Sequence, residues 1–409
     1  MKDWSKKGLI ALTLCLLVSV IFVISCAPSK PAVEAEKVVI GYTGPLTGGA
    51  ALFGINCRDG LAMAADKLNK AGGIKVGDTS YIFEIVALDN RYVPAEGVAA
   101  YKRLVSEYNI PVLFTPQAFV TIPVMAFNIE DNVLIFTYSG LPTLIEQGNP
   151  LFIRIAGDSR AYMGVFCETA RGFGYKKLSL LRGSDSFGDF ESLLINAIWP
   201  YLGGEILDEA KADFYTVTDF YPYLTPVLAK NPDVIFTTGP SEPGGLLVKQ
   251  ARELGYKGGF MCGQQIKMNE IVAFAGGMEK CEGAIGNPAF WEVVNAPQTS
   301  KERKAGLKAF AQQYKERFGP DKDISWDVGL NYEAFFIMAH AMEEAGTVTD
   351  AKAIRAAIPK VLPVKEQVAE FYGVSDAGAL QYDISCIAIK GGKYTDLKET
   401  SLEKWERFK

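Results

Sequence analysis

Covalent chemistry needs a nucleophile with a base, or a metal-binding cluster, and this chain offers little of either. It has one histidine, His340, inside the apolar stretch FFIMAHAMEEAG. A lone histidine there reads as a core or helix-end residue, and no GxSxG elbow supplies it with an exposed serine. HExxH, P-loop and GxGxxG spacings do not occur. The carboxylates Asp185 and Asp189 open a helical pattern, where acidic side chains complement the helix dipole. Seven cysteines occur without CxxC or paired Cys/His spacing, which argues against structural zinc. What the residues do support is non-covalent recognition, with no enzyme activity, metal or cofactor. Short loops of Gly, Thr, Ser, Gln and aromatic residues follow apolar strands, a pattern suited to holding a small guest.

The elements that must position those loops begin at Val38–Gly73. Val38–Tyr42 reads as a strand, Thr43–Gly49 as a loop, and Gly54–Ala71 as a helix with Leu61, Ala64, Ala65 and Leu68 on one face, stopped by Gly72-Gly73. Strand, loop and helix then alternate. Further strands are expected at Tyr81–Leu88, Pro111–Phe114, Val133–Phe136 and Leu151–Ile155, with Thr121 a candidate helix cap. The rhythm restarts at Asp158-Ser159, which caps a helix to Arg171. Strands follow at Leu178–Leu181, Glu205–Asp208, Asp233–Thr237, Gly259–Met261, Ala284–Asn287 and Ile384–Lys390, and long helices at Lys301–Phe318 and Val328–Ala345. Such alternation predicts an α/β fold with parallel sheets, and its two runs predict two lobes. In that architecture ligands sit where loops leave the carboxyl ends of strands.

Length and charge agree. A chain of 409 residues is more than one core usually serves. Lys2, Lys6 and Lys7 precede the apolar run Leu9–Ile24, an export leader; Val23-Ile24-Ser25-Cys26 resembles a bacterial lipobox, with cleavage before a lipid-modified Cys26. An uncleaved membrane anchor is the alternative, and both place the body outside the cytoplasmic membrane. Residues 26–36, CAPSKPAVEAE, then read as a tether. Removing the three lysines and one aspartate of Met1–Ser25 takes the net charge from −5 to −7, the wrong sign for nucleic-acid binding. The five cysteines beyond Cys26 leave at least one unpaired; Cys262 with Cys281 is the one pairing suggested, against buried free thiols.

IGYTGPLTGGAALFG, a helix ending LNKAGGI, and ALDNRYVPAEGVAAYKRLV follow in order, then LIEQGNPLFIRIAGDS, GPSEPGGLLVKQARELGYKGGFM and LNYEAFFIMAHAMEEAG. In this order and spacing the chain resembles the leucine/isoleucine/valine-binding proteins, type I periplasmic solute-binding proteins of ABC transporters. The resemblance covers nearly all of the chain beyond the tether. It implies two Rossmann-like lobes joined by three crossovers, placed near Gly157, Ile285 and Val374. Lobe one would hold residues 37–157 and 286–373, lobe two 158–285 and 374–409. The lobes would close on a ligand by hinge motion, and a membrane permease would read the closed form. No signalling domain follows up to Lys409, which favours transport over a sensing module of the same fold.

The resemblance also places the site in loops Thr43–Phe53, Gln117–Thr121, Tyr138–Gly140, Ser184–Gly188, Pro240–Glu242 and Gln264–Gln265. In the family, backbone amides and small hydroxyls of the second and third loops hold an amino-acid carboxylate. Here Ala118 and Phe119 stand where the family has serine, and Gly140, beside Tyr138 and Ser139, where it has threonine. Gln264 stands where an acidic residue would meet the ligand's ammonium, and a neutral amide cannot compensate a desolvated ammonium. The expected ligand is therefore an apolar or aromatic organic acid without an ammonium, with a branched-chain or other hydrophobic amino acid as the alternative. The expected lining is Phe53, Gln117, Ala118, Phe119, Thr121, Tyr138, Ser139, Gly140, Phe187, Pro240, Ser241, Gln264 and Trp291, with Phe290 a further candidate. Arg182 and Arg91 are either anion partners or solvated surface residues.

Overall fold

The first strand is buried almost without interruption from Val38 on, as a central parallel strand covered on both faces must be. In the computed structural model, which describes residues 35–408, it lies inside the first of two large sheets. The leader, the lipobox with Cys26 and nearly all of the tether lie outside the described residues.

The first run comprises β1 (Glu36–Gly44), α1 (Ala51–Lys70), β2 (Ile74–Val76), β3 (Thr79–Asp89), α2 (Pro94–Tyr108), β4 (Val112–Thr115), α3 (Ala118–Val124), β5 (Leu134–Thr137), α4 (Thr143–Glu146) and β6 (Phe152–Arg154). Its strands order as β2-β3-β1-β4-β5-β6, and all pairs but β2/β3 are parallel. The second run is α5 (Ser159–Gly172), β7 (Lys177–Gly183), α6 (Ser186–Tyr201), β8 (Glu205–Ala212), α7 (Tyr221–Leu228), β9 (Val234–Thr237), α8 (Ser241–Glu253), β10 (Gly259–Cys262), α9 (Met268–Ala275) and β11 (Ala284–Gly286). Helices α10 (Phe290–Asn295), α11 (Lys301–Phe318), α12 (Trp326–Ala345) and α13 (Ala351–Val361) come next. The chain ends through β12 (Gly373–Val374), β13 (Leu380–Gln381), β14 (Ile384–Lys390), β15 (Lys393–Tyr394) and β16 (Lys398–Thr400). The second sheet orders as β15-β14-β11-β10-β9-β7-β8, parallel from β8 to β11, with β14 added antiparallel. The two-lobed α/β fold and its mostly parallel sheets are thus those expected from the sequence.

Each sheet reverses its strand order once, between β1 and β4 and between β7 and β9. Those are the points where open α/β sheets bind ligands. The first core gathers β1, β4 and β5 with α1 and α12; Phe114 stacks on Phe136 with centroids 4.8 Å apart, and Phe83 meets Phe335 edge-on at 5.1 Å. Helix α12 is buried nearly all round, so it shows no apolar stripe. The second sheet is covered on one face by Phe166, Trp199 and Trp405 and on the other by Phe214, Phe220 and Phe260.

The chain passes between sheets after Arg154, after Gly286 and again at Tyr382-Asp383. The third passage falls later than Val374, because Val374 and Leu380 of the β12/β13 hairpin still pack on the first core, whereas Ile384 packs in the second. Two local expectations need correction. Helix α3 is capped by Gln117, and Thr121 lies inside it, its Oγ1 donating to Gln117 O at 2.8 Å. Cys262 and Cys281 do not pair: both are buried free thiols, Cys262 ending β10 and Cys281 Sγ lying 3.8 Å from Ile271 O.

Candidate functional site

The strand-end loops of the two lobes meet in a row of three neighbouring chambers. The outer one, with about 20 Å³ of room for water, lies between Gly49, Phe53 and Tyr92 of the first lobe and Pro240, Ser241 and Gln265 of the second. The central one, with about 20 Å³, is lined by Phe53, Tyr138, Ser139, Gly140, Phe187 and Gln264. The third, with about 50 Å³, lies toward the hinge, among Tyr138, Tyr162, Gln264, Arg303, Trp326 and Tyr382. Phe53 and Gln265 line both the outer and central chambers; Tyr138, Gln264 and Lys267 line both the central and hinge-side ones.

Eight of the thirteen residues singled out from the sequence line these chambers: Phe53, Tyr138, Ser139, Gly140, Phe187, Pro240, Ser241 and Gln264. Four more stand just behind them. Gln117 Oε1 accepts from Asn90 Nδ2 at 2.6 Å, and Asn90 Oδ1 accepts from Tyr92 N at 3.0 Å. Gln117 thereby holds the turn whose residues Arg91 and Tyr92 both adopt positive φ, 48° and 63°, and so sets the Tyr92 ring. Phe119 packs edge-on against that ring at 4.6 Å. Ala118 and Thr121 are buried in the helix. Trp291 is not in the cleft: it is 41% exposed on α10 with Lys315 Nζ 5.2 Å from its ring centroid. Its neighbour Phe290 turns inward onto Trp326 and Phe310. The amphipathic turn of α10 sends one ring in and one out.

Neither arginine is free. Arg182 pairs with Asp189 at 2.5 Å and Glu209 at 2.7 Å, and Arg91 pairs with Glu96. Asp185 caps α6, accepting from Gly188 N at 2.7 Å. His340 sits near the end of α12 with Nδ1 2.9 Å from Glu343 Oε2, away from the chambers.

The lobes touch across the cleft. Tyr92 and Tyr215 stack with centroids 4.0 Å apart, their hydroxyls in hydrogen-bond contact, and Tyr215 Oη donates to Asp185 at 2.7 Å. Gln264 accepts from Ser159 Oγ at 2.8 Å and donates through Nε2 to Gly157 O at 3.2 Å, at the first crossing. Lys267 is buried, and its ammonium meets Gln264 O at 3.2 Å, Gln265 O at 3.1 Å and Asp327 Oδ1, on α12 of the other lobe, at 3.1 Å. The two carbonyls accept two of its hydrogens, and Asp327 is held as an ion pair whose Oδ1 has no hydrogen-bond partner among the described residues.

The buried carboxyls around the cleft are held neutral or are engaged. Burial pushes Glu191 up to about 8, although it accepts from Gln264 N at 2.8 Å. Burial and the nearby Asp327 push Glu270 up to about 7. Asp327 faces Lys267. Ser139 and Gly140 offer backbone N–H groups with no hydrogen-bond partner among the described residues.

Lys267, Asp327, Tyr92, Tyr215, Arg303 and Tyr382 were not singled out from the sequence. Lys267 carried a readable signal, a lone lysine between Ile266 and Met268 just after a strand-end loop. Arg303 and Tyr382 carried none, since only the return of the chain brings α11 and the third crossing to the cleft.

A family model described as "Periplasmic binding protein" matches residues 37–375. A Leu/Ile/Val-binding protein of Rhizobium johnstonii is 26% identical over 80% of this chain and 84% of its own length. An amino acid binding protein of Pseudomonas aeruginosa is 28% identical over 69% and 73%. Among solved structures, a leucine binding protein of Thermotoga maritima superposes with a TM-score of 0.75 at 21% identity, over 90% of this chain and 99% of that one. A solute binding protein of an ABC transporter from Rhodopseudomonas palustris, in complex with benzoate, superposes with a TM-score of 0.75 at 15% identity, over 89% and 96%.

Proposed function

Because the chain belongs to the periplasmic binding protein family, we propose that it is the solute-binding component of an ABC importer, and that its solute is an apolar or aromatic carboxylate without an ammonium. The observation that carries the ligand class is the charge state of the cleft wall. A zwitterionic amino acid needs an ionised, unpaired carboxylate at its nitrogen. Beside the central chamber Gln264 is an amide and Glu191 is pushed up to about 8; at the outer chamber Asp327 faces Lys267 and Glu270 is pushed up to about 7. Glu242, at the outer chamber, is exposed to solvent. The acid end has partners to offer: Ser139 and Gly140 line the chamber and their amides have no partner among the described residues, with Phe53, Tyr138 and Phe187 as ring walls.

Closure would bring residues 37–157 with 286–381 onto 158–285 with 384–409, and a permease would receive the closed form. A lipid on Cys26 would anchor the protein outside the cytoplasmic membrane; mass analysis of the mature chain, showing a diacylglyceryl adduct at a new N-terminal cysteine, tests that. The ligand is tested by thermal-shift screening against leucine, valine, benzoate and octanoate. Stabilisation by the acids and not by the amino acids is expected. Stabilisation by leucine or valine alone rejects the ligand class and leaves amino-acid transport as the reading. Gln264→Glu gives a second readout, since it should recruit an amino acid that the parent ignores.

A further inference from the structure

The third chamber lies on the hinge side of the cleft. All three crossings border it, through Gly157, Asn287-Pro288 and Tyr382-Asp383. One wall is apolar: Val293, Leu330, Ala369 and the ring of Trp326, whose indole N–H is already given to Pro288 O at 2.8 Å.

Set against that wall are donors in want of an acceptor. Arg303 Nε is fully covered and has no partner among the described residues; its one ion pair, to Glu370 at 3.2 Å, uses Nη1. The hydroxyls of Tyr162 and Tyr382 lie 2.9 Å apart, and Tyr382 Oη also accepts from Gly157 N at 2.8 Å. Two phenols carry two hydroxyl hydrogens, and the bond between them uses one. Whichever way it points, one hydrogen is left over, with no acceptor among the described residues. Lys267 also lines the chamber, with two hydrogens given to the Gln264 and Gln265 carbonyls and its charge set against Asp327. Asp383 is the opposing charge, but it is exposed at the rim, where solvent screens it. A guanidinium N–H beside a phenol O–H suits a carboxylate.

We propose that the solute is elongated and carries an acid at each end. One carboxylate meets the Ser139 and Gly140 amides, an apolar spacer passes Tyr138, and the second carboxylate meets Arg303 Nε and the spare phenol hydrogen. This inference rests on the ammonium-free reading above and adds the second acid to it. Tyr138 and Gln264 line both chambers, so the two lie side by side in the cleft and the spacer of one molecule would pass these side chains.

Isothermal titration of the purified protein with two matched pairs tests it: benzoate against terephthalate, and octanoate against suberate. Each diacid is expected to bind at least tenfold more tightly than its monoacid. Arg303→Met should remove that advantage, bringing each diacid to within about twofold of its monoacid measured on the same variant. Should that variant fold poorly, Tyr382→Phe, which removes one hydroxyl of the pair, should reduce the same advantage. Equal affinity within both pairs, an advantage that survives both variants, or no binding of any of the four acids overturns the proposal. Monoacid binding without a diacid advantage leaves the ammonium-free reading standing; binding of leucine alone removes both.

Discussion

Gly140→Ala separates closure from folding. A Cβ at Gly140 would lie 2.2 Å from Gln264 Oε1, 2.6 Å from Gln264 Nε2 and 2.6 Å from Gly157 O. The Gly157 contact is within the first lobe's edge and is felt whether the lobes are apart or together. The Gln264 contact crosses between lobes and is felt only when they meet. Overpacking of this kind costs about 1–3 kcal/mol, and at about 1.4 kcal/mol per tenfold the loss of affinity for a closure-dependent ligand is about 5- to 150-fold. The assay is titration with whichever acid gives the largest thermal shift, together with the change in radius of gyration on adding it. Adding Gln264→Ala to Gly140→Ala should restore part of the affinity, since the interlobe clash is then gone. Affinity of Gly140→Ala within twofold of the parent, or a double variant no better than the single, refutes the assignment of this contact to closure.

Lys267→Met strands Asp327 in the interior and should destabilise the protein by about 3–5 kcal/mol. The further change Asp327→Leu should recover most of that in denaturant titrations, and equal losses in single and double variants would show that the pair is not coupled. The raised carboxyls give a pH signature. Glu191, at about 8, and Glu333, at about 7, are raised by burial above the ordinary value of 4.5. The folded state therefore holds protons that the unfolded chain releases, so their stabilisation is complete below about pH 4.5 and is lost as pH rises through 7 to 8. The melting temperature should fall between pH 5 and pH 9, and Glu191→Gln should flatten the fall; a rise over that range contradicts the assignment. Reductant should leave the melting temperature unchanged, and a thiol reagent should count the five cysteines from Cys57 onward only after denaturation.

The fold was legible because its signals are local. Asp158 and Asp185 announce helix starts through their own side chains, Gly72-Gly73 stops α1, and Lys301–Phe318 and Ile384–Lys390 are bounded in the structure as the residue pattern bounds them. The third crossing was misplaced because β12 and β13 are two-residue strands held by packing, with too little sequence to show a period. The site was legible where a loop follows a strand within one unit, as at Tyr138–Gly140. It was not legible where a residue reaches the cleft from another part of the chain, as Arg303, Asp327 and Tyr382 do. Trp291 failed for a different reason: a short helix alternates buried and exposed rings, and composition does not tell which of Phe290 and Trp291 faces in.

The five sealed thiols set a condition on how this protein reaches its destination. In the unfolded chain every cysteine is open to oxidants and to its neighbours. Once the cores form, Cys57, Cys167, Cys262, Cys281 and Cys386 are all buried, and burial raises each thiol's pKa, so little reactive thiolate remains. Mispairing is therefore open to the unfolded chain and closed to the folded one, whose cores keep the thiols out of reach without cross-links between them.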